Sequence, residues 1–185
     1  MDTQRTELDD QLLNALFRDD FKGVENAVKQ GASLNTPYTN SGYTPFLKIC
    51  REHTSPDIIE WAIGLGGSIT QTTIQKETPL HVMASKRSSF ACLDVLIKHG
   101  ADINAVDIAG NTPLMRLLSH PQVQLRMDCV YGLYNTGTNC AIKNSKGEIA
   151  YDIANNNSAF DDDEFLLHLL IDSFADEQTN DCSTC

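Results

Sequence analysis

Apolar and polar positions alternate along this chain in short blocks of helical period. The clearest block is Pro79-Leu80-His81-Val82-Met83-Ala84, a short apolar helix by its pattern. A polar break follows (Lys86-Arg87-Ser88-Ser89), then Phe90-Ala91-Cys92-Leu93-Asp94-Val95-Leu96-Ile97-Lys98, which predicts a second, amphipathic helix. Gly100 ends it, since glycine takes the left-handed helix-terminal conformation without a Cβ clash. Residues Ala105 to Gly110 are too few for another helix and suit an extended turn.

The block recurs. Thr-Pro pairs stand at Thr44-Pro45, Thr78-Pro79 and Thr112-Pro113, 34 residues apart in each case. Threonine before proline predicts a helix start, with the hydroxyl capping free amides and proline accommodated in the first turn. A second landmark closes each unit: Gly31-Ala32-Ser33-Leu34-Asn35, Gly66-Gly67-Ser68-Ile69-Thr70, Gly100-Ala101-Asp102-Ile103-Asn104 and, more loosely, Gly137-Thr138-Asn139-Cys140. Their spacings are 35, 34 and 37 residues. Two landmarks with one period define a repeat, and one such unit cannot bury its apolar faces without stacked neighbours.

Thr78-Pro79-Leu80-His81 and Gly100-Ala101-Asp102-Ile103-Asn104-Ala105 resemble the signatures of the ankyrin repeat. The resemblance implies an all-α solenoid of helix-turn-helix units joined by extended β-turn fingers. Five units are expected, over residues 8–35, 40–70, 74–104, 108–141 and 145–173, the first and last being degenerate caps. The repeat domain is thus expected over residues 1–173, with a flexible acidic tail over 174–185. Lys76 stands where the family has a turn glycine, and the fourth unit carries about three extra residues around Ser119–Gln124.

Charge sharpens this picture. Residues 1–40 carry a net −3 and residues 41–147 a net +2, whereas 148–185 carry −10, which together give the overall −11. In ankyrin-like stacks the first helices line a concave surface and the fingers project beside it. That register implies a partner-binding face built from Lys48, Arg51, Glu52, Lys86, Arg87 and Arg116 on the helices. Tyr38, Lys76, Asp107, Lys143 and Lys146 join it from the turns. Eight of the fourteen basic residues fall on this face. An ordinary solvated surface would look the same; the functional reading is a groove for an acidic or phosphorylated segment of another protein. Reversing Lys48, Arg51, Lys86 and Arg116 is expected to weaken such binding and leave folding nearly untouched, as befits solvated charges.

Catalytic chemistry finds little support. His81 is implied by the resemblance to order its turn, and His99 falls in the last turn of a helix, where a cation opposes the dipole. His53, His120 and His168 lack ligands at metal spacing, and no nucleophile, base and orienting residue assemble. Gly64-Leu65-Gly66-Gly67 reads as a helix stop, not as a phosphate loop. Asp161-Asp162-Asp163-Glu164 reads as a helix cap. Cys50, Cys92, Cys129 and Cys140 lie in apolar segments and read as reduced, buried thiols. Cys182-Ser183-Thr184-Cys185 admits a metal half-site or prenylation at Cys182, but the acidic surroundings disfavour a membrane anchor. No apolar run reaches the ~18 residues of a membrane span. The expectation is a monomeric cytoplasmic adaptor or stoichiometric inhibitor. It would be non-enzymatic, without cofactor or metal, and would bind neither nucleic acid nor membrane. Two alternatives stay open: a substrate-recruiting subunit of an enzyme complex such as a ubiquitin ligase, and a bacterial effector acting in host cytoplasm.

Overall fold

The computed structural model describes residues 7–86, 89–121, 127–157, 160 and 170–171. These residues form nine helices and no strand: α1 (Glu7–Leu16), α2 (Phe21–Lys29), α3 (Pro45–Glu52), α4 (Pro56–Gly64), α5 (Pro79–Ala84), α6 (Phe90–Lys98), α7 (Pro113–Leu118), α8 (Met127–Asn135) and α9 (Ala150–Asn155). Arg87, the Asp161–Glu164 run, the end of the chain with Cys182 and most of the stretch that would complete the fifth unit lie outside the described residues.

The Thr-Pro pairs start helices as their chemistry requires. Thr44, Thr78 and Thr112 each sit in extended backbone, with a side-chain oxygen accepting the amide hydrogen of Leu47, His81 or Met115. The following proline occupies the first turn, where no amide hydrogen is needed. His81 completes the third start. Its Nε2–H donates to the Asn111 carbonyl at 2.9 Å, leaving Nδ1 to accept from the Thr78 hydroxyl at 2.8 Å. Burial holds its pKa below the ordinary histidine value, so the neutral ring ties this helix to the next turn. At the other end of the unit, Gly100 has φ of 90°, and Ala101 N–H reaches back to the Leu96 carbonyl at 2.9 Å.

Stacking follows in two rows. The first helices pack α3 to α5, α5 to α7 and α7 to α9; the second helices pack α4 to α6 and α6 to α8. Leu12, Phe46, Ile59, Leu80, Leu93, Leu96, Leu114 and Leu133 lie in one continuous buried core between them. The four thiols at Cys50, Cys92, Cys129 and Cys140 are buried and free, and burial pushes the Cys50 pKa up.

Four extended turns project beside the first helices, over residues 39–43, 73–77, 107–111 and 144–148. Each is closed by a backbone bond such as Asp107 N–H to the Asn111 carbonyl at 3.0 Å. They are also laced to one another: Ile74 N–H donates to Ser41 O (3.0 Å), Ile108 N–H to Gln75 O (2.8 Å) and Ser145 N–H to Ala109 O (2.8 Å). In register, Gly42, Gly110 and Gly147 hold the left-handed turn position, and Lys76 holds it in the second of these fingers with φ of 58°.

Candidate functional site

The first helices and the fingers share one face. Arg116 of α7 proves this directly: its guanidinium pairs with Glu77 of one finger and lies, through Nε, 3.0 Å from Asp107 Oδ2 of the next. Further along, a groove of about 610 Å³ is lined by Asn111, Arg116, Asn144, Lys146, Glu148 and Ile153, which come from α7, α9 and the two fingers beside them.

Four of the residues expected on this face gather at its N-terminal end. Tyr38 meets Phe17 edge-on, with ring centroids 6.1 Å apart and planes at 88°. Phe17 lies just beyond α1, is 61% exposed, and covers the ammonium of Lys48, whose Nζ is 4.5 Å from the ring centroid. Lys48 also pairs with Glu52 one turn later on α3. The Arg51 guanidinium lies 5.5 Å from the centroid of Tyr43. Arg51 itself is exposed and has no carboxylate partner among the described residues. Burial is also the main cause that raises the pKa of both tyrosines, so they stay neutral donors at physiological pH. Three aromatic rings and one exposed guanidinium thus adjoin. Aromatic residues and arginine are the types that dominate protein-interface energetics.

Phe17 and Tyr43 were not among the residues the sequence pointed to. Phe17 follows Leu12, Leu13 and Leu16 in the apolar stripe of α1 and reads as core, while its exposure depends on where the chain turns. Tyr43 has no charge to mark it, and only its place directly before the capping Thr44 aligns it with the finger face.

Elsewhere the expected residues divide. Lys76, Lys86, Lys143 and Lys146 are exposed, with no ion pair among the described residues. Asp107 is not a free turn tip: it is 4% exposed, and Oδ1 accepts from Ala109 N–H at 2.8 Å and Asn111 N–H at 2.9 Å. Nor are Lys48 and Arg116 solvated charges. Lys48 is 6% exposed beneath Phe17, and Arg116 is clasped by two carboxylates. The expectation that reversing both leaves folding untouched is therefore wrong, because reversal would bury a carboxylate against a carboxylate. Arg51 and Lys86 are the pair that can be reversed without such a penalty.

No group of three or more histidine, cysteine or acidic side chains among the described residues is placed to hold a metal ion. No described helix is long and apolar enough to cross a membrane.

A ladder of turns beside two rows of stacked short helices is the architecture of a repeat solenoid, whose extended face serves binding. A family profile of ankyrin repeats, in three copies, matches residues 46–144. The chain belongs to the ankyrin-repeat family. It is similar to Ankyrin repeat and SOCS box protein 6 of Pongo abelii and of Mus musculus, each 31% identical over 111 residues that cover 57% of this chain and 26% of the relative. The Homo sapiens protein of that name is 30% identical over the same length and coverage. The chain therefore spans about a quarter of these relatives in the matched region.

Proposed function

We propose that this protein is a non-catalytic adaptor or stoichiometric inhibitor that holds another protein against the face shared by its first helices and fingers. The observation that carries this reading is the cluster of Phe17, Tyr38, Tyr43 and Arg51. An exposed phenylalanine set edge-on against a tyrosine does not stabilise the core, yet it offers rigid apolar area at little further entropic cost. Arg51 beside it, exposed and held against Tyr43, supplies a fork of donors with no carboxylate partner among the described residues, suited to a carboxylate or phosphate. An acidic or phosphorylated segment matches this chemistry. Action in the cytoplasm suits the reduced state of the buried thiols.

The similarity to a protein named for a SOCS box favours one alternative, a substrate-recruiting subunit of a ubiquitin ligase. In that reading the same face would hold the substrate. A photoreactive benzophenone side chain at Tyr38 tests the proposal in cells. Crosslinked partner is expected at Tyr38 and absent when the probe sits at Lys98, on the second-helix row. Equal adducts at both positions would contradict the assigned face.

A further inference from the structure

The tips of the fingers carry residues that the turns themselves do not call for. Ile74 is 60% exposed and Ile108 is 58% exposed. They occupy the same position in adjacent fingers, and the corresponding residues in the flanking fingers are Asn40 and Ser145. Polar side chains therefore satisfy this backbone position, and the isoleucines gain nothing from the core. Between them stands Lys76, which keeps a left-handed backbone at φ of 58° where the other three fingers use glycine. The Ile108 N–H bond to Gln75 O, at 2.8 Å, fastens these two fingers together, so Ile74, Lys76 and Ile108 belong to one edge.

Charge on that edge has one sign. The carboxylates of these fingers are turned inward and engaged: Glu77 and Asp107 with Arg116, and Glu148 with the Asn144 side-chain amide at 2.9 Å. Among the described residues, the lysines have no ion pair. Lys76 projects from one finger, Lys146 lies in the finger that Ser145 joins to Ala109 at 2.8 Å, and Lys143 directly precedes that finger. Apolar β-branched side chains framed by free ammonium groups form a surface complementary to one class of partner.

We infer that the tips of the fingers at residues 73–77 and 107–111 dock an extended acidic segment of another protein, one whose aliphatic or aromatic side chain covers Ile74 and Ile108 while its carboxylates meet Lys76, Lys143 and Lys146. The inference rests on the proposed protein-binding role but concerns a surface separate from the Phe17–Arg51 cluster. The apolar contact supplies affinity, and the lysines supply orientation and a salt-sensitive association rate.

Random dodecapeptides displayed on phage, selected against the whole protein, test it. The expected winners combine Asp or Glu with a large apolar residue, and a synthetic winner is then titrated by fluorescence polarisation. A triple variant, Ile74→Asn, Ile108→Ser and Lys76→Gly, takes its residues from the flanking fingers, so the turns retain side chains they already accept. It should bind the synthetic peptide at least tenfold more weakly with an unchanged thermal midpoint or a higher one, whereas Arg51→Glu should leave that affinity within twofold. Winners that lack acidic residues, or an affinity indifferent to the triple variant, overturn the inference. Peptides lost with Arg51→Glu but not with the triple variant overturn it too, while leaving the proposed function standing. A selection that enriches nothing also counts against the inference, since a preformed linear-segment site should retain peptides.

Discussion

Replacing Asp107 by alanine separates a structural role from a binding one. Its carboxylate accepts two backbone amides, at 2.8 and 2.9 Å, and faces Arg116 Nε at 3.0 Å. A hydrogen bond to a charged group contributes about 1.5–3 kcal/mol, and the exposed turn amides recover part of this from water. Arg116 keeps Glu77, a third of its side chain is exposed and its Nε makes no hydrogen bond to Asp107, so losing that charge adds no more than about 1 kcal/mol. Together these effects predict that Asp107→Ala destabilises by about 2–4 kcal/mol. Asp107→Asn keeps an oxygen for the two amides and removes only the charge, for about 1–2 kcal/mol. At about 2–4 °C per kcal/mol for a chain of this size, alanine lowers the melting midpoint by roughly 10 °C. Urea titration followed by circular dichroism, with thermal melts alongside, measures both variants. An alanine variant within about 1 kcal/mol of the parent would refute the network as a stabilising device. If that variant also lost partner binding, Asp107 would return to the contact role its turn position suggested.

Three other outcomes follow from the packing and the turns. Leu96 is fully buried between helices, so Leu96→Ala should cost about 2–5 kcal/mol. Lys98→Ala loses only an exposed pair with Asp94 and should stay within about 0.5 kcal/mol by the same urea titration; equal losses would contradict the helix register. Lys76→Gly should raise stability by a few tenths to about 1 kcal/mol, because φ of 58° is strained for lysine and free for glycine; a loss would mean that the lysine side chain holds the finger. Burial lowers the His81 pKa in the folded chain below its ordinary value of 6.5. The unfolded chain therefore binds the proton more readily, and stability that is complete above about pH 6.5 declines as pH falls below it. The urea midpoint of the parent should drop between pH 7.5 and 5.5 by more than that of His81→Gln, and parallel pH profiles would exclude His81 as the source.

Much of this architecture is legible in the residues because it is local. Thr-Pro sets a cap and a first turn within three positions, and Gly100 ends a helix by its own backbone. Stacking then follows from apolar stripes with nowhere else to go. Ionic pairing is harder to read, since Glu77 and Arg116 meet across 39 positions. A basic residue on the right face looks the same in sequence whether it is exposed like Arg51, capped by an aromatic ring like Lys48, or clasped like Arg116. Exposure of Phe17 is set by the path between α1 and α2, and its neighbours Leu12, Leu13 and Leu16 give no hint of it.

The grip of the Phe17–Tyr38–Tyr43–Arg51 cluster on a protein partner is what the proposed function depends on. Its most direct test is the association kinetics of the partner crosslinked at Tyr38, compared between the parent and Arg51→Glu at low and physiological ionic strength. Arg51 is exposed and carries no ion pair among the described residues, so the variant should melt with the parent. It should bind about tenfold more weakly at low salt, mainly through a slower on-rate, with the gap narrowing as charges beyond about 8 Å are screened. An affinity and on-rate unchanged by Arg51→Glu at both ionic strengths would show that this cluster does not hold the partner.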